Sequence, residues 1–124
     1  AFKGLDESLV RVSHTPSHSK PSGHKFFVMF RGAEERWRVQ QEMLGHGVFT
    51  QIHYMPLHDA PAGARYGRTP AELGVTLASW RSVLCIPSWP GLTEEQLQHI
   101  TTCFIAAVKT EAARPQEEAK AEKC

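Results

Sequence analysis

The sequence predicts an α+β fold, a small sandwich of about three mainly antiparallel strands with helices packed on one face. Three observations carry that expectation. Short aromatic and β-branched runs alternate with segments of helical period, in the order β-α-β-α-β-α. No glycine-rich phosphate loop follows any strand segment, which argues against a doubly wound parallel sheet. A chain of 124 residues, 41% hydrophobic and 22% charged, suits a single core.

Residues 1–23 show no sustained period and read as a linker or lead-in. Leu5, Leu9 and Val12 fit one face of a short helix or strand, and the Ser, His and Pro residues after them read as loop. Residues 25–30 are aromatic and β-branched, as in a strand buried on both faces. Residues 34–44 read as a helix with Ala33, Trp37, Val39, Met43 and Leu44 as its apolar sector, stopped by Gly45 and Gly47. Residues 48–54 read as the second strand, with Val48, Thr50, Ile52 and Tyr54 on one side and Phe49, Gln51 and His53 on the other. Pro56 ends it, and residues 57–68 are irregular.

Thr69, Pro70 and Glu72 form a helix-start pattern, followed by Leu73, Leu77 and Trp80 at helical spacing. Residues 83–86 read as the third strand, closed by Pro87. Thr93 and Gln96 form a second capping box, with Leu92 and Leu97 at the staple positions. Ile100, Phe104, Ala107 and Val108 continue the apolar stripe. The domain proper is expected at 24–110, and residues 111–124 read as a polar tail of frayed helix or disorder.

Composition narrows function. A formal charge of +1 lacks the basic surplus that phosphate neutralisation needs, so no nucleic-acid partner is expected. No run has the length of a membrane span, and the polar start does not resemble a signal peptide, so no membrane partner is expected. Cys85, Cys103 and Cys124 form no framework, which suits a reduced, cytoplasmic setting. Cys85 and Cys103 read as small core residues, and Trp37, Trp80 and Trp89 as core and rim.

The densest polar cluster is His53, Tyr54, His58 and Asp59, at the end of the second expected strand. Two imidazoles and a phenol there suit anion binding, proton relay or contact with a sugar hydroxyl. They also suit a core-edge aromatic with two half-exposed histidines, and both readings stay open. A metal site on His53, His58 and Asp59 has little support, since no recognisable ligand spacing is present. Pro16 lies between His14 and His18, which keeps them off a shared helix face. The expectation is no metal.

The segment GVFTQIHYMPLH at 47–58 resembles the pattern G-[IV]-x-T-x-x-H-Y-x-P-L-H of the C-terminal small domain in DegT/DnrJ/EryC1/StrS aminotransferases. Residues 24–30 and 34–44 resemble the strand and helix that open that domain. Pro61, Tyr66 and Gly67 fall where the family has its proline and its Tyr/Gly. The run VLCIPSWPGLT at 83–93 resembles the strand, L-P step and final helix start. The resemblance covers residues from about 24 to 108.

It implies an aspartate-aminotransferase type of fold in the complete enzyme, with pyridoxal phosphate held by a large domain and amine transfer to a nucleotide-linked sugar. It also implies that His53, Tyr54 and His58, with Thr50 a weaker candidate, are substrate-binding residues. The family's Schiff-base lysine lies in an [FH]-x-x-K segment followed by a G-E-G-G run. None of Lys3, Lys20, Lys25, Lys109, Lys120 and Lys123 has that context, although Lys20 mimics part of it. No catalytic and no cofactor-binding residue is therefore expected in this chain, and no cofactor bound by it alone. Two readings follow. The chain is a domain or fragment of a sugar aminotransferase, or a stand-alone binding or oligomerisation module derived from that domain. Either way a partner is expected, a second copy or the missing large domain, with the nucleotide sugar a ligand only of a complete enzyme.

Overall fold

The computed structural model describes residue 2, residues 5–69 and residues 72–114. Its elements run β1 (Val10–Val12), β2 (Phe26–Phe30), α1 (Ala33–Gly45), α2 (Pro61–Tyr66), α3 (Gly74–Ser82), β3 (Val83–Ile86) and α4 (Glu94–Ala112). The three strands form one antiparallel sheet in the order β1-β2-β3. Val10 pairs with Phe30 and Val12 with Val28, while Phe26 pairs with Ile86 and Val28 with Leu84. The class is the expected α+β, but the strands differ from expectation.

Strand β1 comes from the segment read as a lead-in. Its three residues are too few to carry a readable period, yet Val10 is buried and β2 supplies a full partner edge. The expected strand at 48–54 is reduced to a single bridge, Gln51 with Cys85. The Gln51 N–H donates to the Cys85 carbonyl at 3.1 Å, and the Cys85 N–H donates back at 2.7 Å.

Continuing that ladder one way would pair Phe49 with Pro87, which has no N–H to give. Continuing the other way would pair His53 with Val83. The Val83 N–H is already committed to the Ser79 carbonyl, and the His53 carbonyl accepts from Trp80 Nε1 at 2.8 Å. The ladder is thus blocked on both sides of one residue pair.

Period 2 sorts the sheet faces. Val10, Val28, Phe30, Leu84 and Ile86 are buried on the side that meets the helices. Helix α1 buries Glu35, Val39 and Met43, a stripe at i, i+4, i+8, while Trp37 and Leu44 are largely exposed. Trp37 precedes Val39 by two residues, about 200° of helical rotation, so it points away from the core. Gly47 closes the helix at φ +74°, and the Val48 N–H bonds back to the Met43 carbonyl.

Helix α4 packs on α1 and sends Phe104 against Phe30, with ring centroids 6.5 Å apart and near edge-on. Its capping box is formed on both arms, Thr93 with Gln96. Leu92 packs against the core, but Leu97 is left half-exposed.

The helix does not fray at Glu111. That carboxylate is buried and accepts from Arg38 Nε at 2.9 and 3.0 Å, with Arg38 Nη2 at 2.7 Å and Arg114 Nε at 2.9 Å. Residues 115–124 of the expected tail lie outside the described residues. Helix α3 starts at Gly74 with Leu73 as an uncapped N-cap, so Thr69 does not serve as the cap. Pro70 of that expected start lies outside the described residues.

Residues 61–66, read as irregular, form α2 with Pro61 at its first position. A Cβ on Gly63 would collide with the Leu57 carbonyl, so glycine is required there. Among the described residues no helix is long and apolar enough to cross a membrane.

Candidate functional site

The sheet face turned away from α1 and α4 carries Arg11, Phe27, Met29 and Cys85. The bridge at Gln51 extends this face, and His53 follows two residues later on the same side. Lys25, two residues before Phe27, belongs to it as well. Sheet register therefore assembles Lys25, His53, Tyr54 and Cys85 from three separate parts of the chain.

The His53 and Tyr54 rings lie 5.8 Å apart at a 50° tilt. Lys25 Nζ stands 5.0 Å from the centroid of the Tyr54 ring, a cation–π distance. Cys85 Sγ lies 4.0 Å from His53 Nδ1. Partial burial pushes the Cys85 thiol above its ordinary range, with the Lys25 charge opposing. Cys85 is thus a half-buried neutral thiol on the open face and not the core residue expected of it.

The predicted residues divide. His53 and Tyr54 are exposed and adjacent. Thr50 and His58 are half-buried and take no part in the Lys25–Tyr54–His53–Cys85 contacts. The Thr50 carbonyl accepts from Gln40 Nε2 at 3.3 Å, which ties the segment to α1. Thr50 Oγ1 and His58 Nε2 are buried atoms without a hydrogen-bond partner among the described residues. No cluster of three or more His, Cys, Asp or Glu side chains able to hold a metal ion occurs among the described residues.

Sequence reasoning missed Lys25 and Trp80 as members of this neighbourhood. In sequence Lys25 reads only as the first residue of its expected strand. The usable signal was its two-residue spacing from Phe27, but its partner face depends on a register that no local pattern encodes.

The residues flanking the site are apolar and uncovered. Phe49, Ile52, Met55 and Leu57 stand exposed along one segment, with Tyr54 among them.

The class of protein is set first by shape. The chain superposes on the aminotransferase TlmJ from Streptoalloteichus hindustanus with a TM-score of 0.77 at 19% identity, covering 90% of this chain and 29% of that one. It superposes on S. venezuelae DesV, solved in complex with a ketimine intermediate, with a TM-score of 0.71 at 27% identity, covering 91% and 28%. Sequence then fixes the family. Residues 1–105 match the DegT/DnrJ/EryC1/StrS aminotransferase family, and the chain belongs to it.

Among curated relatives, the dTDP-4-dehydro-2,3,6-trideoxy-D-glucose 4-aminotransferase of Saccharopolyspora spinosa is 30% identical over 88 residues, which is 71% of this chain and 22% of that protein. The pleiotropic regulatory protein of Geobacillus stearothermophilus is 28% identical over 97 residues, covering 77% and 26%. The chain spans about a quarter of the length of the curated relatives it matches.

The family is pyridoxal-phosphate dependent, but the described residues do not fit that cofactor. Lys20, Lys25 and Lys109 are all exposed, so none offers the enclosed amine a Schiff base requires. The first turns of α1 and α4 carry Glu34 and Glu35, and Glu94 and Glu95, which repel a phosphate from those helix ends.

Proposed function

We propose that this chain is the small, substrate-facing domain of a sugar aminotransferase, and that it presents His53, Tyr54, His58 and Thr50 to a nucleotide-linked keto sugar without transferring the amine itself. One observation carries this reading. The segment bearing these residues is joined to the free edge of β3 by one bridge, with the His53 imidazole and the Tyr54 ring exposed where the core has no use for them. Family membership supports it, and so does the absence from this sequence of a lysine in the family's Schiff-base context.

In this reading the cofactor and its lysine belong to another region or polypeptide, and the exposed strip from Phe49 to Leu57 docks against that region or a second copy. The unpaired Cys85 and Cys103 suit a reducing, cytoplasmic setting.

Two measurements test the proposal. Mixing the purified chain with pyridoxal phosphate should produce no internal-aldimine absorbance. A band abolished by replacing one lysine would refute the claim of incompetence. Titrating a dTDP-linked keto sugar, the kind of substrate named for the Saccharopolyspora relative, should shift amide resonances of residues 50–58 in the NMR spectrum. A spectrum unchanged there at millimolar ligand would refute the substrate-facing role.

A further inference from the structure

The basic side chains near the sheet divide into two groups. Arg31 is paired with Glu35 at 2.6 Å, Arg38 with Glu111 and Glu34, and Arg114 with Glu111. Arg11 and Lys25, both exposed on the open face, make no ion pair among the described residues, and of the two it is Lys25 whose ammonium stands over an aromatic ring, that of Tyr54. An aromatic face holds a cation in place without neutralising it, so the charge is left available to an external anion. The neighbouring groups are His53, the neutral Cys85 thiol and the Tyr54 phenol, none of which is a competing carboxylate.

From this geometry we infer that Lys25 is the anion anchor of the site, its ammonium taking a phosphate group of the nucleotide-linked ligand beside the exposed face of Tyr54. The inference rests on the substrate-facing reading above and adds to it a residue outside the 50–58 segment. Three features recommend Lys25. It is preorganised by Tyr54, it is fixed to the first residue position before β2 and so moves with the sheet, and it lies on the open face with His53. A lysine suits this role, being a compact point charge that meets phosphate oxygens without a fixed fork.

The test is an NMR titration of the 124-residue chain with inorganic pyrophosphate, followed on backbone amides. Pyrophosphate should shift the amides of Lys25, Phe26, His53 and Tyr54. Lys25→Met should weaken that binding about tenfold, the size of one charge-assisted contact, and Lys25→Arg should retain most of it. Lys109→Met, an exposed lysine on α4, should leave it unchanged. Lys25 is exposed, so the remaining spectrum of Lys25→Met reports directly that the fold is intact.

The inference is overturned if pyrophosphate shifts none of those amides, if Lys25→Met binds as well as the parent chain, or if Lys109→Met weakens binding equally. The two proposals fail separately. A dTDP-linked sugar that shifts residues 50–58 equally in the parent and in Lys25→Met removes Lys25 and keeps the substrate-facing role. Pyrophosphate bound through Lys25, with no response of residues 50–58 to the sugar, keeps the anchor and removes that role.

Discussion

The two sides of this sheet follow different rules. On the helix-backed side, Val28, Leu84, Met43 and Phe104 are all at 0% exposure, and the one buried carboxylate at the far end of α4 is met by two guanidinium groups. On the open side, Phe49, Tyr54 and Leu57 are 76%, 83% and 82% exposed. Large apolar residues stand on both sides. Hydrophobicity alone therefore does not say which residues hold the fold together. What separates them is whether a second element of the same chain arrives to cover them. The helix-backed side stabilises the domain, and the open side is left uncovered by this part of the chain.

Stability measurements on single substitutions press on that contrast. Phe104→Ala should lower stability by about 3–5 kcal/mol in urea unfolding, since it empties the centre of the helix-backed side. Tyr54→Ala, an aromatic deletion on the open side, should change stability by less than about 0.5 kcal/mol. Equal losses from the two would break the comparison. Glu111→Ala should cost about 2 kcal/mol, because it leaves Arg38 and Arg114 facing each other over a buried position. Removing Arg114 alone should cost much less, as Arg38 still serves the carboxylate.

A smaller effect comes from Thr93→Ala, which opens the capping box of α4 at a cost of about 1 kcal/mol. The smallest concerns pH. Burial works to raise the Glu35 carboxyl, but the Arg31 hydrogen bonds and charge outweigh it and hold the group below its ordinary value of 4.5. A carboxylate depressed in the folded state stabilises the fold above its unfolded value. That contribution is lost as pH falls below 4.5 and through the folded value. Glu35→Gln should therefore lower stability at neutral pH and change little in strong acid, which flattens the acid limb of the stability profile.

Much of the helix-backed side was legible in the sequence. Residues 26–30 and 83–86, the Thr93 capping box and the stripe of Ile100, Phe104, Ala107 and Val108 declare themselves through local period and local caps. The errors share a cause. Strand β1 is too short to show alternation, and residues 48–54 alternate well enough to pass for a strand. Their fates were decided by neighbours, since β2 offers β1 a free edge while Pro87 and the committed Val83 N–H deny one to residue 49 and residue 53. Glu111 looked like the start of a polar tail because its guanidinium partner Arg38 lies on another helix. Of the site, His53 and Tyr54 were readable from a motif. Lys25 was not, because its membership depends on strand register.

The bridge at Gln51 has a mechanical consequence. Two backbone hydrogen bonds, both made by one residue, couple the aromatic segment to the ladder, and beyond them it is held by the side-chain bonds of Gln40 to the Thr50 carbonyl and of Trp80 to the His53 carbonyl. Rupturing them disturbs neither Val28 nor Phe104. Deuterium should consequently enter residues 50–58 through a shallow, independent opening while the centre of α4 resists until the whole domain melts. A flap so weakly moored can adjust to whatever lands on it, at no expense to the scaffold that carries it.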